Sequence, residues 1–192
     1  MDLRQQLENV LLVPHDAGSE YPRGSAMRAA KTHVCVVGLG NADYGDDGFG
    51  VLLATILIAE GVPHVIEAGN ALERYFGRIT ECKYDRVLFV DAADFGAPPG
   101  SVVLLNSKEM SSRFPQVSTH KISLGLLARW AEEQGVGQVW LLGVQPESIR
   151  PGRQLSQKLQ VTLEAIVDLL CAILTQPEIE PRPEICRAGV NS

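Results

Sequence analysis

Apolar positions along the chain form two kinds of run, and the two kinds alternate. His33 to Leu39 is a short, β-branched stretch that predicts a buried strand. From about Gly48 to Glu60 nearly every residue is apolar, including Val51, Leu52, Leu53, Ile56, Leu57 and Ile58, which predicts a largely buried helix. His64 to Ala68 reads as a second strand, with Glu67 at its carboxyl end. A turn at Gly69-Asn70 follows, then a helix over about Ala71 to Ile79. Arg86 to Val90 is a third strand ending on Asp91.

The next connection, Asp91 to Gly100, is rich in proline and glycine and has about ten residues, too few for a helical crossover. The strand beyond it, Ser101 to Leu105, should therefore run antiparallel to the third, near a sheet edge. Lys108 to Thr119 reads as a polar connection. His120 opens a helix reaching about Gln134, with Ile122, Leu126, Leu127 and Trp130 as its buried stripe and Gly125 as a weak point. Gln138 to Val144 is the last strand, and a helix over about Leu155 to Leu174 closes the pattern. The expected architecture is a three-layer α/β/α sandwich around a mostly parallel, twisted sheet with one antiparallel strand. Residues 32–175 form its single domain. Met1 to Lys31 is a lead-in, flexible or partly helical, in which Leu3, Leu7, Val10 and Leu11 share a face. Residues 176–192 make an exposed tail.

Bulk properties narrow the function classes. With 192 residues, the chain suits one domain with a sizeable core. A formal net charge of -6 argues against a nucleic-acid partner, whose phosphates call for a basic face. No apolar run reaches membrane-spanning length, and the amino end lacks a signal-peptide pattern, so a cytoplasmic protein without a membrane partner is expected. Cys35, Cys82, Cys171 and Cys186 have no metal-binding spacing and read as free thiols.

The candidate chemistry lies where strands hand over to helices. Asp47 follows the first strand in the glycine-rich stretch Gly38 to Val51, Asp91 ends the third, and His120 opens a later helix. In a doubly wound sheet all three share the carboxyl rim. Two carboxylates and an imidazole can hold a divalent metal such as nickel or zinc, or work as an acid–base set. Each also has a structural reading: Asp47 as a helix-end acid, Asp91 as a turn cap, His120 as a helix-start residue. A nucleotide-binding turn is the weaker alternative, because the third glycine is missing at the expected spacing and the acids would repel phosphate.

The motifs in order resemble those of the hydrogenase maturation endopeptidases, which process the large subunit of nickel–iron hydrogenases. The four blocks are Gly38-Leu39-Gly40-Asn41 with Gly45-Asp46-Asp47-Gly48, then Leu88 to Asp94, then Ser118-Thr119-His120, then Gly143 to Ser148, within about residues 33–170. The resemblance implies a phosphorylase/hydrolase-like α/β fold and an aspartic-type peptidase that removes a carboxyl-terminal peptide from the nickel-loaded precursor. It implies Asp47 and Asp91 as catalytic acids, and Asp47, Asp91 and His120 as metal contacts. It further implies that the nickel is the substrate's, with no permanently bound cofactor; a monomer is expected. Glu67 stands behind the two aspartates as a further acid. Glu67-Ala68-Gly69-Asn70 departs from the family's usual Asp-Gly-Gly followed by Ser or Thr, and the lead-in is longer than usual. The competing reading is a fold relative with a different peptidase or binding role.

Overall fold

The computed structural model describes residues 2–13, 32–113, 123–152 and 154–175. Its elements are α1 (Leu3–Leu12), β1 (Val34–Leu39), α2 (Phe49–Ala59), β2 (Val65–Gly69), α3 (Leu72–Glu81), β3 (Arg86–Ala92), β4 (Val102–Asn106), α4 (Ser107–Arg113), α5 (Leu124–Glu133), β5 (Gln138–Val144) and α6 (Gln157–Leu174). A short 3-10 turn, Gly45–Gly48, precedes α2. The strands form one sheet in the order β2-β1-β3-β5-β4. β1 pairs in parallel with β2 and β3, β3 pairs in parallel with β5, and β4 is antiparallel to β5.

The three layers follow from strand alternation. Val34, Val36, Leu88, Val90, Leu142 and Val144 face one way and pack with α1, α2 and α6. Cys35, Val37, Leu39, Val87, Phe89 and Leu141 face the other way and pack with α3, α4 and α5. Both faces are covered, which is why the parallel strands are apolar at nearly every position. Gly38 and Gly50 let α2 approach this sheet closely. A methyl on Gly50 would lie 2.1 Å from the Val90 carbonyl oxygen, and one on Gly38 would lie 2.1 Å from that of Gly50. Chain order reverses between β1 and β3, since β2 lies on one side of β1 and β3 on the other. A ligand crevice is expected outside the carboxyl ends of these two strands.

Several expectations need correction. β4 is not among these: it runs antiparallel to β3 and lies at the sheet edge, as expected, paired with β5. The predicted polar connection begins as a helix, α4. Its start is a reciprocal cap: the Asn106 side chain accepts from the Lys108 and Glu109 amides, and the Glu109 carboxylate accepts from the Asn106 amide. The stripe assigned to α5 is rotated. Leu124, Leu127, Ala128 and Ala131 are buried, whereas Leu126 is 60% and Trp130 49% exposed. Trp130 stacks on Phe76 of α3, with ring centroids 4.5 Å apart. Ile122 lies outside the described residues. Gly125, read as a weakness, permits the α4–α5 contact, since a methyl there would sit 2.7 Å from the Ser111 amide.

α1 docks on the same core, with Leu7 and Leu11 fully buried. Arg86, itself buried, donates to the carbonyls of Val10 and Val13 at 2.8 Å and so caps the end of α1. Cys35 and Cys171 are free, and burial pushes the Cys35 thiol up to about 12, consistent with an inert core residue. Cys82 is disulfide-bonded, against the expectation of four free thiols.

Candidate active site

The turn after β1 is built by its own polar groups. The Asn41 side chain accepts from the Asp43 amide at 3.0 Å, and the Asn41 carbonyl accepts from the Tyr44 amide at 3.0 Å. Gly40 takes a φ of 109°, open to glycine and strained for other residues. The Asn41 amide then donates to both the carbonyl and the Oδ2 of Asp47, each at 3.0 Å. Asp47 therefore folds back over the preceding turn.

Asp91 arrives from the neighbouring strand. It continues the Val87, Phe89 alternation and so stands on the α3/α5 face. A methyl on Gly40 would meet the Asp47 carbonyl oxygen at 1.8 Å and Asp91 Oδ1 at 3.4 Å. The two acids thus close around one glycine at the crevice between β1 and β3. Asp47 is 5% and Asp91 3% exposed, so both carboxyl groups sit largely out of solvent, where charge interactions are strong.

Asp46, next in sequence to Asp47, has a different task. It is 1% exposed, and its carboxylate accepts three backbone amides: Glu147 at 2.8 Å, Ser148 at 3.0 Å and Ser156 at 2.7 Å. The Asp46 amide donates back to the Ser148 carbonyl at 3.1 Å, and the Gly152 amide donates to the Asp43 carbonyl at 2.8 Å. The segment after β5 is thereby clasped to the turn that carries Asp47.

Comparison with known proteins decides what this rim belongs to. Residues 52–173 match the family model described as hydrogenase maturation protease (HycI), a span that holds Asp91 and begins just past the Asp46-Asp47 turn. The hydrogenase 3 maturation protease of Escherichia coli K12 is 32% identical over 134 residues, covering 69% of this chain and 85% of that protein.

The chain belongs to the hydrogenase maturation protease family.

Solved structures agree. The crystal structure of the HycI protease of Thermococcus kodakarensis KOD1 superposes with a TM-score of 0.67 at 32% identity, covering 76% of this chain and 94% of that one. The solution structure of the Escherichia coli HycI endopeptidase gives a TM-score of 0.64 at 30% identity, with 71% and 87% covered. The activity class is peptide-bond hydrolysis in hydrogenase maturation, carried on the α/β fold expected from the sequence.

Other residues singled out in this maturation protease separate into those near the rim and those away from it. Glu67 is on the opposite sheet face from Asp91, because Ile66 and Ala68 occupy the α3/α5 side of β2. There it is exposed and accepts from the Thr55 hydroxyl at 2.7 Å. His33 and His64 stand at the amino ends of β1 and β2, the edge away from the acids, with their Nε2 atoms 3.1 Å apart. His120 lies outside the described residues. Among the described residues, no three histidine, cysteine or acidic side chains are grouped to hold a metal ion. A surface cavity of about 290 Å³ between α2 and α6 is lined by residues such as Ile56, Leu163 and Val167, and not by the acids.

Gln145 is the rim residue whose role the sequence reading missed, although its motif was noted. It is 7% exposed. Its Oε1 accepts from the Phe95 and Ala97 amides at 2.8 and 3.2 Å, and its Nε2 donates to Asp94 Oδ1 at 3.0 Å. The loop just beyond Asp91 is thus tied to the end of β5. The Gln145 hydrogen bond, with a smaller contribution from the Gly96 amide, holds the Asp94 carboxyl below its ordinary value. Gln145→Ala should let Asp94 titrate closer to that ordinary value, read by carboxyl carbon NMR. It should also cost about 1–3 kcal/mol by urea unfolding, since two amides lose their acceptor. An unchanged Asp94 titration would show that the bond is not what holds it.

Proposed function

We propose that this protease cuts one peptide bond near the carboxyl terminus of the large-subunit precursor of a nickel–iron hydrogenase, after nickel has been loaded. Asp47 and Asp91 are its catalytic acids. Asp47, Asp91 and His120 offer ligands to the substrate's nickel, and the enzyme holds no metal of its own. The observation that carries the proposal is the placement of two buried aspartates at one crevice, Asp91 Oδ1 beside Gly40 and Asp47 Oδ2 on the amide of the next residue, Asn41, where α/β folds keep their ligands.

The chemistry follows from charge. A paired acid site favours a cation, so a precursor presenting nickel binds better than an empty one, and loading is read as differential affinity. Water attacks the scissile carbonyl while an ionised carboxylate of the pair takes its proton. That proton then passes to the departing amine, completing an aspartic-type hydrolysis. The enzyme works as a monomer in the cytoplasm. No helix among the described residues is long and apolar enough to cross a membrane.

The test is direct. Purified protein is mixed with precursor in nickel-loaded and nickel-free forms, and each is weighed by mass spectrometry. A single mass loss confined to the loaded form is expected. Equal cutting of both forms would remove the nickel-sensing part of the proposal, and no cutting of either would remove all of it.

A further inference from the structure

Tyr44 and Ile149 are apolar side chains exposed where the chain is otherwise polar. They are 44% and 53% exposed. Around them the sequence reads Asp43-Tyr44-Gly45-Asp46 and Glu147-Ser148-Ile149-Arg150. They belong to the two segments that Asp46 clasps together, and each is next in sequence to a residue making that junction. Tyr44 precedes Gly45, and Ile149 follows Ser148, whose carbonyl accepts from the Asp46 amide at 3.1 Å. Tyr44 also forms an isolated parallel bridge with Gly152. A methyl on Gly45 would lie 3.1 Å from the Ser148 carbonyl and 3.3 Å from that of Arg150, so the segments are in close contact.

We propose that Tyr44 and Ile149 form the docking strip of this protease, seating an apolar segment of the substrate polypeptide beside Asp47. The inference rests on the peptidase reading above and adds to it the part of the site that grips the chain being cut.

Position identifies the occupant. The Asp47 amide donates to the Tyr44 carbonyl at 3.2 Å, so Tyr44 lies one turn from the proposed catalytic acid. An endopeptidase must hold its substrate on both sides of the scissile bond, and the surface adjoining the acids is where that chain passes. Rigidity supports the same reading. The strip is fixed by the three amides bound to the Asp46 carboxylate, so ordering it costs little when substrate arrives. Tyrosine is among the residues enriched at the energetic centre of protein contacts, and Ile149 adds apolar area on the adjoining segment. Ile58 is as exposed, at 50%, but lies near the carboxyl end of α2, the far end of that helix from the Asp47 turn, and serves as a control.

The experiment measures steady-state processing of the nickel-loaded large-subunit precursor encoded in the same genome. The wild type, the Tyr44→Ser/Ile149→Ser double variant and Ile58→Ser are compared. Both strip residues are exposed, so unfolding midpoints should stay near wild type. The double variant should raise KM at least about tenfold with kcat within about twofold, the signature of lost binding that is equal in ground and transition states. Ile58→Ser should match wild type. A double variant with unchanged KM, or with a fall in kcat alone, overturns the docking strip while leaving the peptidase reading intact. Failure of the wild type to shorten the precursor overturns both.

Discussion

Asp47→Asn is expected to give a folded protein that processes nickel-loaded precursor about 10²–10⁴-fold more slowly than wild type, the usual worth of a positioned acid or base. The asparagine keeps the size of the side chain and an oxygen to accept from the Asn41 amide, now 3.0 Å from Asp47 Oδ2. The turn should therefore persist, with a melting temperature within a few degrees of wild type. What is lost is the carboxyl group, and with it both the attraction and the proton transfer that the proposed function assigns to it. Asp91→Asn should behave similarly, because its carboxyl lies across Gly40 from the same site. Processing at the wild-type rate by the Asp47 variant would remove that residue from the mechanism.

Changing the adjacent acid should have the opposite character. Asp46→Ala is expected to lower the unfolding free energy by roughly 5 kcal/mol or more. Three backbone amides lose a charged acceptor, and hydrogen bonds to charged groups are each worth roughly 1.5–3 kcal/mol. That is a large part of the 5–15 kcal/mol that typically holds a domain together. Asp46→Asn should be nearly as damaging, although it is the gentler change chemically. Its amide nitrogen must face either Ser156 or the Glu147 and Ser148 pair, and in each orientation a donor meets a donor. Urea unfolding measures the loss, and faster hydrogen exchange at Glu147, Ser148 and Ser156 would locate it. A midpoint within experimental error of wild type would mean that the clasp contributes nothing. Together the two pairs of variants distinguish an acid that reacts from an acid that holds.

This division of labour was only half legible in the sequence. Position after a buried strand was enough to put Asp47 and Asp91 on one rim, because alternating strands and helices leave few topologies. Nothing in the pair Asp46-Asp47 says that the first would turn inward to amides more than a hundred positions away, since backbone donors leave no signature in residue identity. Gln145 escaped attention for the same reason: two of its partners are amides of Phe95 and Ala97. Glu67 was misplaced on the shortlist because its proximity to a strand end was weighed without its parity. One residue along a strand selects the opposite face, and Ile66 and Ala68 had already taken the face that Asp91 occupies. The α5 stripe failed in a related way. Leu126 and Trp130 fit a helical period, but Leu124, Leu127, Ala128 and Ala131 fit one that buries smaller residues against neighbouring elements.

The Asp46 clasp also sets a schedule for biosynthesis. Its partners lie 101, 102 and 110 positions further along the chain. During synthesis from the amino end, Asp46 and Asp47 leave the ribosome long before Ser156 exists, and closure must wait for that distant segment. The rim that would grip a substrate is therefore among the last features to take shape. A nascent, half-made copy of this protease holds both aspartates but lacks the contacts that frame the turn they occupy, which can form only once residues 147–156 have been made.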